Sequence, residues 1–406
     1  MTWHAEHAAA CPYPRIPTDV VSVERNPVDA NAASSWPDLR SRMRGFLVGY
    51  ALGDAAARAK DAAVGPLRVG AAGALALAGS EGVIRGLVRQ ELKGIGGGIP
   101  GCMWHSTARW AQRSDLGHLA GVVRWKGSAW PGQQWPDGWL SQVPVLRGPR
   151  GSAPAIEAAL AVDSAHAVPM VPPDTGSTGD MVIARVLPLA MLVATATPIT
   201  RAPGRTDLDE NFAQDLVDTA VAAAAYSHGL FAQVVAVALT RTAAQVLATG
   251  SLTGLVDLDR VCDSFGERGG TSDVSRAREA LERVNSALRQ GTGHPAVGGP
   301  RTALRAAEAG LADAHELRPQ DPNQLAGALK AVARRREPGA AAITMALLGS
   351  VHGFEALPVG AVARLDVAHL ADQLAQDLMT QAGSSISLSA AASGAPNAWV
   401  DRYPGC

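Results

Sequence analysis

A few polar side chains in this chain have the types and neighbours that acid–base chemistry requires. Asp54 follows the apolar stretch Phe46–Leu52, and His228 follows Ser227 at a break between two apolar segments. Carboxylates and imidazoles act as general acids or bases when their surroundings tune the pKa. We take Asp54, Asp180 and His228 as the candidate catalytic residues. Structural roles are the alternative: an ordering carboxylate for Asp54, and a cap or a satisfied core group for His228.

A glycine-rich loop, residues 172–180, has the composition of an anion-binding loop. It reads Pro-Pro-Asp-Thr-Gly-Ser-Thr-Gly-Asp and precedes Arg185 and an apolar segment. Glycines let backbone N–H groups approach an anion closely, and a following helix N-terminus adds partial positive charge. The alternative is a polar linker that ends in an N-cap from Thr178 or Asp180. The acidic side chains of Asp174 and Asp180 would repel a phosphate.

Two further stretches invite an anion-site interpretation. The run Arg334–Arg336 could bind an anion through its guanidinium groups, or complement the dipole of a helix C-terminus. The glycine-rich run Gly94–Gly101 lacks the preceding strand and the following Lys-Ser/Thr of a phosphate-binding loop, so we discard it. The candidate ligand-binding residues are therefore Asp54, Gly176, Thr178, Gly179, Asp180, Arg185, Ser227, His228 and Arg336.

Apolar periodicity predicts the helices that position these residues. Apolar side chains recur on one face in Phe212–Tyr226, Leu230–Leu247 and Ser272–Leu288. Two more helices, at 323–336 and 340–353, are separated by Pro338, which stops the first or starts the second. Strand-like alternation is scarce. We predict an all-α fold, in which the helices form one compact domain.

Three stretches break the helical pattern. Residues 1–38 are rich in Pro, Ala, Asn and Ser and predict a tail or arm, which leaves 39–406 as the helical domain with its C-terminal extension. Residues 94–104 are predicted not to be helical, since each glycine costs roughly 1 kcal/mol relative to alanine. Residues 124–140 contain four of the nine tryptophans and predict either a clamp over the core or a stacking surface for a protein partner.

Bulk properties narrow the class of protein. The 406 residues carry a net charge of −1, which argues against a nucleic-acid binder. We expect no signal peptide, because the first twenty residues lack an apolar run. The longest apolar stretch, Met181–Ile199, is interrupted by Arg185 and Pro188, so we expect no membrane span. The four cysteines are scattered, which favours a reduced, cytoplasmic protein.

Six stretches match, in the correct order, the pattern of one known family. They are Arg44–Asp54, Ser80–Arg85, Pro136–Leu140 with Val145–Arg147, Tyr226–Gly229, Ala342–Ile343 with Leu347–Gly353, and Asp401–Gly405. Together they resemble the ADP-ribosylglycohydrolase family over nearly the whole chain after residue 40. The resemblance implies a multi-helix orthogonal bundle, a loop at 172–180 that cradles the ribose and phosphates of a ligand, and hydrolysis at two magnesium ions.

The residues that would hold those ions are missing. Counted in register with the family, the aspartates of the first motif fall on Ala71 and Ala72 and its threonine on Gly73. The aspartates of the second motif fall on Arg336 and Pro338. Mg²⁺ requires carboxylate and water oxygens in near-octahedral order, and a two-metal hydrolase needs several carboxylates. We therefore expect no metal site and no cofactor.

Three functions stay open on these grounds. The first is a pseudoenzyme that binds a nucleotide-like or other small molecule, or a partner, in the old cleft. The second is a divergent, metal-independent enzyme acting on an ADP-ribose-like or other small substrate. The third is a structural or interaction module that uses the tryptophan-rich segment and the tail. If the register is correct, Asp54, Ala71–Gly73, the 174–180 loop, His228 and Arg336 converge on one cleft.

Overall fold

A computed structural model gives the architecture of most of the chain after residue 36. The described residues are 37–94, 96–128, 135–162, 176–195, 208–252, 259–265, 271–290, 301–319, 321, 324–383, 388 and 397–404. All of them belong to one unit, Trp36–Cys406. The predicted tail, apart from Pro37 and Asp38, lies outside the described residues, so its role stays a prediction.

Seventeen α-helices lie within the described residues. The first nine are α1 (Leu39–Arg58), α2 (Ala71–Lys93), α3 (Ile99–Arg113), α4 (Ala120–Ser128), α5 (Trp139–Gln142), α6 (Pro154–Ala161), α7 (Met181–Val186), α8 (Glu210–Ala224) and α9 (Leu230–Thr249). The other eight are α10 (Asp259–Ser264), α11 (Thr271–Gln290), α12 (Ala303–Glu316), α13 (Leu325–Arg335), α14 (Pro338–His352), α15 (Val359–Val362), α16 (Ala368–Ala382) and α17 (Ala398–Arg402). The described part of the chain contains no β-strand beyond two isolated bridges. The predicted all-α class is confirmed.

The helices read from apolar periodicity form where they were predicted. The three amphipathic segments become α8, α9 and α11. Pro338 is the first residue of α14, a position where its missing N–H costs no hydrogen bond. The prediction that 94–104 is not helical was wrong from Ile99 onward. Pro100 sits in the first turn of α3, and Cys102, Met103 and Trp104 are buried, so tertiary packing outweighs the glycines that precede them.

The central contact of the domain is between α1 and α14, and glycines make it possible. Gly45, Gly49 and Gly53 recur at every fourth position and form one stripe along α1. A Cβ atom at Gly45 would lie 2.2 Å from the Gly349 carbonyl oxygen. One at Gly53 would lie 2.1 Å from the carbonyl oxygen of Ala341. The two backbones are therefore in direct contact, and this contact brings the end of α1 beside the beginning of α14.

Two core helices are long and apolar enough to cross a membrane by length and composition. They are α2 and α9, and 94% and 72% of their apolar windows are buried inside the protein. Core helices of soluble proteins meet the same two criteria, so this finding is weak evidence for a membrane span. The described part of Met181–Ile199 forms α7 and a 3-10 helix, Leu187–Ala194. The expectation that this stretch does not span a membrane stays a prediction.

Arg85 ties together three of the stretches that carry the family resemblance. Its guanidinium is fully buried and donates to the Glu81 carboxylate at 3.0 Å and to the Asp137 backbone carbonyl at 3.0 Å. It also donates to the carbonyl oxygen of Pro404 at 3.0 Å. A buried guanidinium needs such partners, because an unpaired buried charge is costly. Segments more than three hundred positions apart are thus held at one point of the core.

The tryptophan-rich segment packs onto the core in its described part. Trp125 and Trp135 stack with their ring centroids 6.5 Å apart, and Trp139 meets Tyr403 edge to face at 6.5 Å. All three indoles are half-buried. Trp130 lies outside the described residues. These contacts fit the clamp better than an open stacking surface, and a protein partner for this segment stays a prediction.

The cysteines differ from the expectation of a fully reduced chain. Cys102 is disulfide-bonded. Cys262, a residue of α10, is free and buried. The prediction of reduced cysteines was therefore wrong at Cys102, because scattered spacing along a sequence does not show which residues the fold brings together. The cytoplasmic localisation stays a prediction.

Candidate functional site

Asp54 closes the N-terminus of α2. Its side chain is fully buried, and its Oδ2 accepts hydrogen bonds from the backbone N–H of Gly70 at 2.6 Å and of Gly73 at 3.1 Å. Its Oδ1 accepts from Arg58 Nε at 2.7 Å. Gly70 occupies the N-cap position of α2 and has no side chain of its own to cap the helix. Asp54 supplies that cap from a neighbouring helix, and its negative charge complements the helix dipole.

Arg58 is a residue of this site that sequence reasoning missed. It lies one helical turn after Asp54, and that i,i+4 spacing of opposite charges was the available signal. A Cβ atom at Gly70 would come within 2.2 Å of Arg58 Nε, so the guanidinium lies directly over the start of α2. A guanidinium therefore stands at the helix start to which the family resemblance assigns metal-binding aspartates.

The start of α14 contains no carboxylate at the two positions where the resemblance expects aspartates. Arg336 is exposed, ends α13 in the left-handed conformation with φ 55°, and donates a long hydrogen bond of 3.4 Å to the Ala59 carbonyl. Pro338 offers no side-chain donor or acceptor. The neighbouring Glu337 is paired with Arg305 at 2.6 Å. The carboxylate in this turn thus already has a cationic partner.

Asp180 is the carboxyl group that faces the start of α14. A Cβ atom at Gly339 would lie 2.5 Å from Asp180 Oδ2, so only glycine allows this approach. Burial raises the pKa of Asp180 to about 6, and the Asp54 charge adds to that effect, whereas Arg301 and Arg58 oppose it. Near neutral pH this carboxyl group can therefore exchange a proton.

The loop before α7 is held on both sides. On one side Gly229 N–H donates to the Ser177 carbonyl at 2.9 Å. On the other, Ala303 N–H donates to the Thr178 carbonyl at 2.8 Å. Gly176 has φ 58°, which favours glycine. The two loop carbonyls are thus used for structure. Residues 172–175 of the predicted loop, including Asp174, lie outside the described residues.

His228 lies under this loop as part of a polar chain. Its Nδ1 is 2.8 Å from Ser227 Oγ, and Ser227 Oγ accepts from Arg185 Nη2 at 2.8 Å. Arg185 can only donate, so the serine hydroxyl hydrogen can point to Nδ1. In that tautomer the imidazole proton is on Nε2. This nitrogen is buried, has no hydrogen-bond partner among the described residues, and lies 3.7 Å from where a Cβ of Gly179 would be.

The imidazole of His228 is neutral at physiological pH. Burial, and after it the positive charge of Arg185, lower the pKa of His228 to about 3. A neutral imidazole with its proton on Nε2 is a hydrogen-bond donor, and it is not a proton acceptor at that atom. His228 therefore suits ligand binding through a donated hydrogen bond better than general-base catalysis.

Arg185 lies in the interior, away from the start of α14. Its guanidinium is fully buried and donates to the Ala223 carbonyl at 2.5 Å and to the Ala224 carbonyl at 3.2 Å. These carbonyls end α8, where helix geometry leaves them without intrahelical partners. Arg185 therefore satisfies a helix C-terminus, and its charge also places the Ser227 hydroxyl. Its assignment as a ligand contact stays a prediction.

The residues present do not fit a dinuclear magnesium centre. Both Asp54 oxygens are engaged by the protein, and Ala71, Ala72, Gly73 and Pro338 carry no ligand atoms. No cluster of three or more His, Cys, Asp or Glu side chains with metal-binding geometry occurs in the described part of the chain. Arg58 and Arg336 place positive charge where cations would have to bind.

The structure brings together most of the residues that the sequence singled out. Asp54 contacts the turn at Ala71–Gly73, Asp180 contacts Gly339, and His228 lies against Gly179. Asp54 and Asp180 are close enough to influence each other electrostatically. Sequence reasoning missed four residues that share this region: Tyr50, Arg58, Arg301 and Arg305. A ligand-binding role for the assembled residues stays a prediction.

Comparisons with known proteins give limited information. No protein-family model matches the chain. No curated protein matches it. A solved structure that does match is described as an ADP-ribosylglycohydrolase-related protein complex; it is 16% identical, the match covers 85% of this chain and 99% of that one, and the TM-score is 0.49. A likeness at this level defines neither a family nor an activity for this chain.

Proposed function

We propose that this chain is an ADP-ribosylglycohydrolase-fold protein that has lost dinuclear magnesium hydrolysis and binds a small anionic ligand in the remaining cleft. We place this cleft between the end of α1, the starts of α2 and α14, and the loop before α7, where Asp54, Asp180 and Gly179 lie close together. One observation carries the proposal: both oxygens of the Asp54 carboxylate are engaged within the protein, at 2.6–3.1 Å. A carboxylate has about four lone-pair sites, and three of those of Asp54 already accept hydrogen bonds within the protein, which leaves little capacity for a metal ion.

The groups that remain suit a nucleotide-like molecule such as ADP-ribose. Arg58 and the exposed Arg301 supply positive charge near Asp180, and protonation of Asp180 removes a negative one. In the tautomer with its proton on Nε2, His228 offers a buried hydrogen-bond donor beside Gly179. Guanidinium groups bind phosphate oxygens well, and a buried donor gains most from an anionic acceptor. The ligand would thus be held by arginines and a neutral histidine in place of metal ions.

A second candidate is a metal-independent hydrolase with Asp180 as its acid or base. The observation that favours it is the pKa of Asp180, which burial raises to about 6. A carboxyl group with such a pKa donates and accepts protons near neutral pH. The structural or interaction module has no specific observation in its favour, and it becomes the conclusion if ADP-ribose does not bind.

Binding of ADP-ribose, measured by calorimetry in the presence of a chelator, tests the proposal. We expect binding by the wild type and about tenfold weaker binding by His228→Phe, because one hydrogen bond to a charged group is lost. His352→Phe is the matched control, since His352 also has an unpartnered Nε2 but lies at the opposite end of α14. Equal affinity in all three proteins would show that His228 does not contact ADP-ribose. If the wild type does not bind ADP-ribose, the proposed binding site is contradicted.

Hydrolysis of ADP-ribosyl-arginine and ADP-ribosyl-serine separates the two candidates. The binding protein predicts no turnover above background, with or without magnesium. Turnover that survives a chelator and is lost in Asp180→Asn would establish the metal-independent enzyme. Turnover that disappears on chelation would contradict both candidates.

A further inference from the structure

A second cavity, of about 730 Å³, lies beside Arg336 and is separate from the contacts of Asp180 and His228. Its walls are the turn after α1, one face of α13 and the residues around α15. Leu329, Ala333 and Ala361 contribute to an apolar floor. Cavities of this size and this largely apolar lining are typical of small-molecule sites.

The charges around this cavity are strongly one-sided. The charged lining residues are Lys60, Lys330, Arg334, Arg336, Arg364 and Asp61, which makes five cations against one carboxylate. The whole chain has a net charge of −1, so this concentration of positive charge is local. Like charges around one cavity repel each other, and an anion bound among them relieves that repulsion.

Most of these cations are available to a ligand. Lys60, Lys330 and Arg334 have no hydrogen bond or ion pair with any residue that the structure describes. Arg364 is different, because it donates to the carbonyls of Gly65 at 2.6 Å and Ala62 at 3.0 Å and so braces the turn after α1. Arg364 thus holds the turn that carries Lys60, whereas Lys330 and Arg334 lie on α13.

The cavity is lined by one carboxylate, that of Asp61, and two exposed valines lie beside it in sequence. The Asp61 carboxylate accepts from Ala63 N–H at 2.8 Å through Oδ1 and so orders its own turn. Val64 and Val359, next in sequence to lining residues, are 76% and 78% exposed. These are the highest exposures among large apolar side chains in the described residues, and apolar groups left in water favour an apolar partner.

We infer that this cavity binds a small amphipathic anion, with an apolar body against the floor and a phosphate, sulfonate or carboxylate group among Lys60, Lys330 and Arg334. The inference does not rest on the proposed function, and the two sites share only Arg336. Charge complementarity selects the anionic head, and the apolar floor and rim select the body.

Two fluorescent probes test this inference. Anilinonaphthalene sulfonate has an apolar body and an anionic group, whereas N-phenylnaphthylamine is its uncharged counterpart. We expect the charged probe to bind the wild type, and to bind the Lys330→Glu, Arg334→Glu double variant about tenfold more weakly or less. Affinity for the uncharged probe should stay within about twofold in that variant, because its contacts are apolar.

Two controls fix the location. Arg289→Glu reverses an exposed charge in the last turn of α11, a position matched to Arg334, and should leave the affinity for both probes unchanged. Ala326→Trp fills the cavity from an exposed position and should abolish binding of both probes.

The inference is overturned if the wild type does not bind the charged probe, if the double variant and Arg289→Glu bind it equally, or if Ala326→Trp still binds it. Displacement of the probe by ADP-ribose would assign it to the other cleft and also overturn the inference.

Discussion

The N-termini of α2 and α14 face the same region of the protein, and an aspartate from another element lies against each. At α2 the aspartate is Asp54, which accepts two backbone hydrogen bonds and one from Arg58. At α14 it is Asp180, which lies against Gly339, and α14 has no side-chain cap. The first carboxylate is fully engaged and the second is left with a raised pKa.

This difference shows how the same residue type acquires different roles. A buried carboxylate that accepts three hydrogen bonds, as Asp54 does, becomes part of the fold. At Asp180 burial outweighs the hydrogen bond from its own backbone N–H, so the anion is destabilised and the group becomes responsive to pH and to ligands. The Asp54 carboxylate at the start of α2 thus has a structural role. At the start of α14, we expect a ligand to change the protonation of Asp180.

The largest expected effect comes from removing the engaged carboxylate. Asp54→Ala leaves the N–H groups of Gly70 and Gly73 buried without their partner and leaves Arg58 unpaired. We expect the free energy of unfolding to fall by about 3–5 kcal/mol, measured by urea denaturation. Asp180→Ala is the matched control and should cost less than about 1 kcal/mol. Similar losses in the two variants would mean that the two helix starts do not differ as described.

A smaller effect, with a defined sign, comes from the titration of Asp180. Its folded-state pKa of about 6 lies above the ordinary value of 3.8, so the folded state binds this proton more tightly than the unfolded state. The stabilising contribution is complete below about pH 4 and is lost as the pH rises through about 6. Because Asp180 is partly exposed, we expect the free energy of unfolding to fall by only about 1–2 kcal/mol over this pH range.

The difference in unfolding free energy between the wild type and Asp180→Asn isolates this contribution, since both proteins carry the other titrating groups. Urea denaturation at pH 4, 5 and 7 measures it, at values chosen to span the transition of about 6. The wild type should lose stability relative to the variant as the pH rises. A difference that is constant with pH, or that changes in the opposite direction, would show that burial does not raise this pKa.

The smallest expected effect concerns the turn into α14. Arg336 adopts φ 55°, which costs roughly 1 kcal/mol for a residue with a Cβ atom. Arg336→Gly should therefore raise the unfolding free energy by up to about 1 kcal/mol. Arg334→Gly, inside α13, should lower it by about the same amount. If both substitutions destabilise the protein equally, the left-handed conformation of Arg336 carries no conformational cost that glycine relieves.

Local patterns in the sequence predicted the helices well, because burial of an apolar face leaves a periodic signal. The boundaries of α8, α9 and α11 follow it, and Pro338 marks the start of α14. The start of α3 was missed, since glycine propensity was weighed without the packing of Trp104 and its neighbours. Propensity is a weak predictor where tertiary contacts decide.

The site was harder to predict, because its contacts join residues that are distant in sequence. The family resemblance brought Asp54, Asp180 and His228 to one region of the protein. It could not show that Asp54 is used by backbone N–H groups 16 and 19 positions away. Nor could it show that the Arg185 guanidinium donates to the two backbone carbonyls at the end of α8. Hydrogen-bond partners of this kind leave no spacing pattern, so only the assembled structure distinguishes a free group from an engaged one.

Titration of the wild-type protein with Mg²⁺ and Mn²⁺, followed by calorimetry, tests the central claim most directly. If Asp54 is committed to α2 and the other positions supply no ligands, neither ion binds stoichiometrically at concentrations that saturate a dinuclear site. About two tightly held divalent ions per chain, as a two-metal hydrolase requires, would contradict the account.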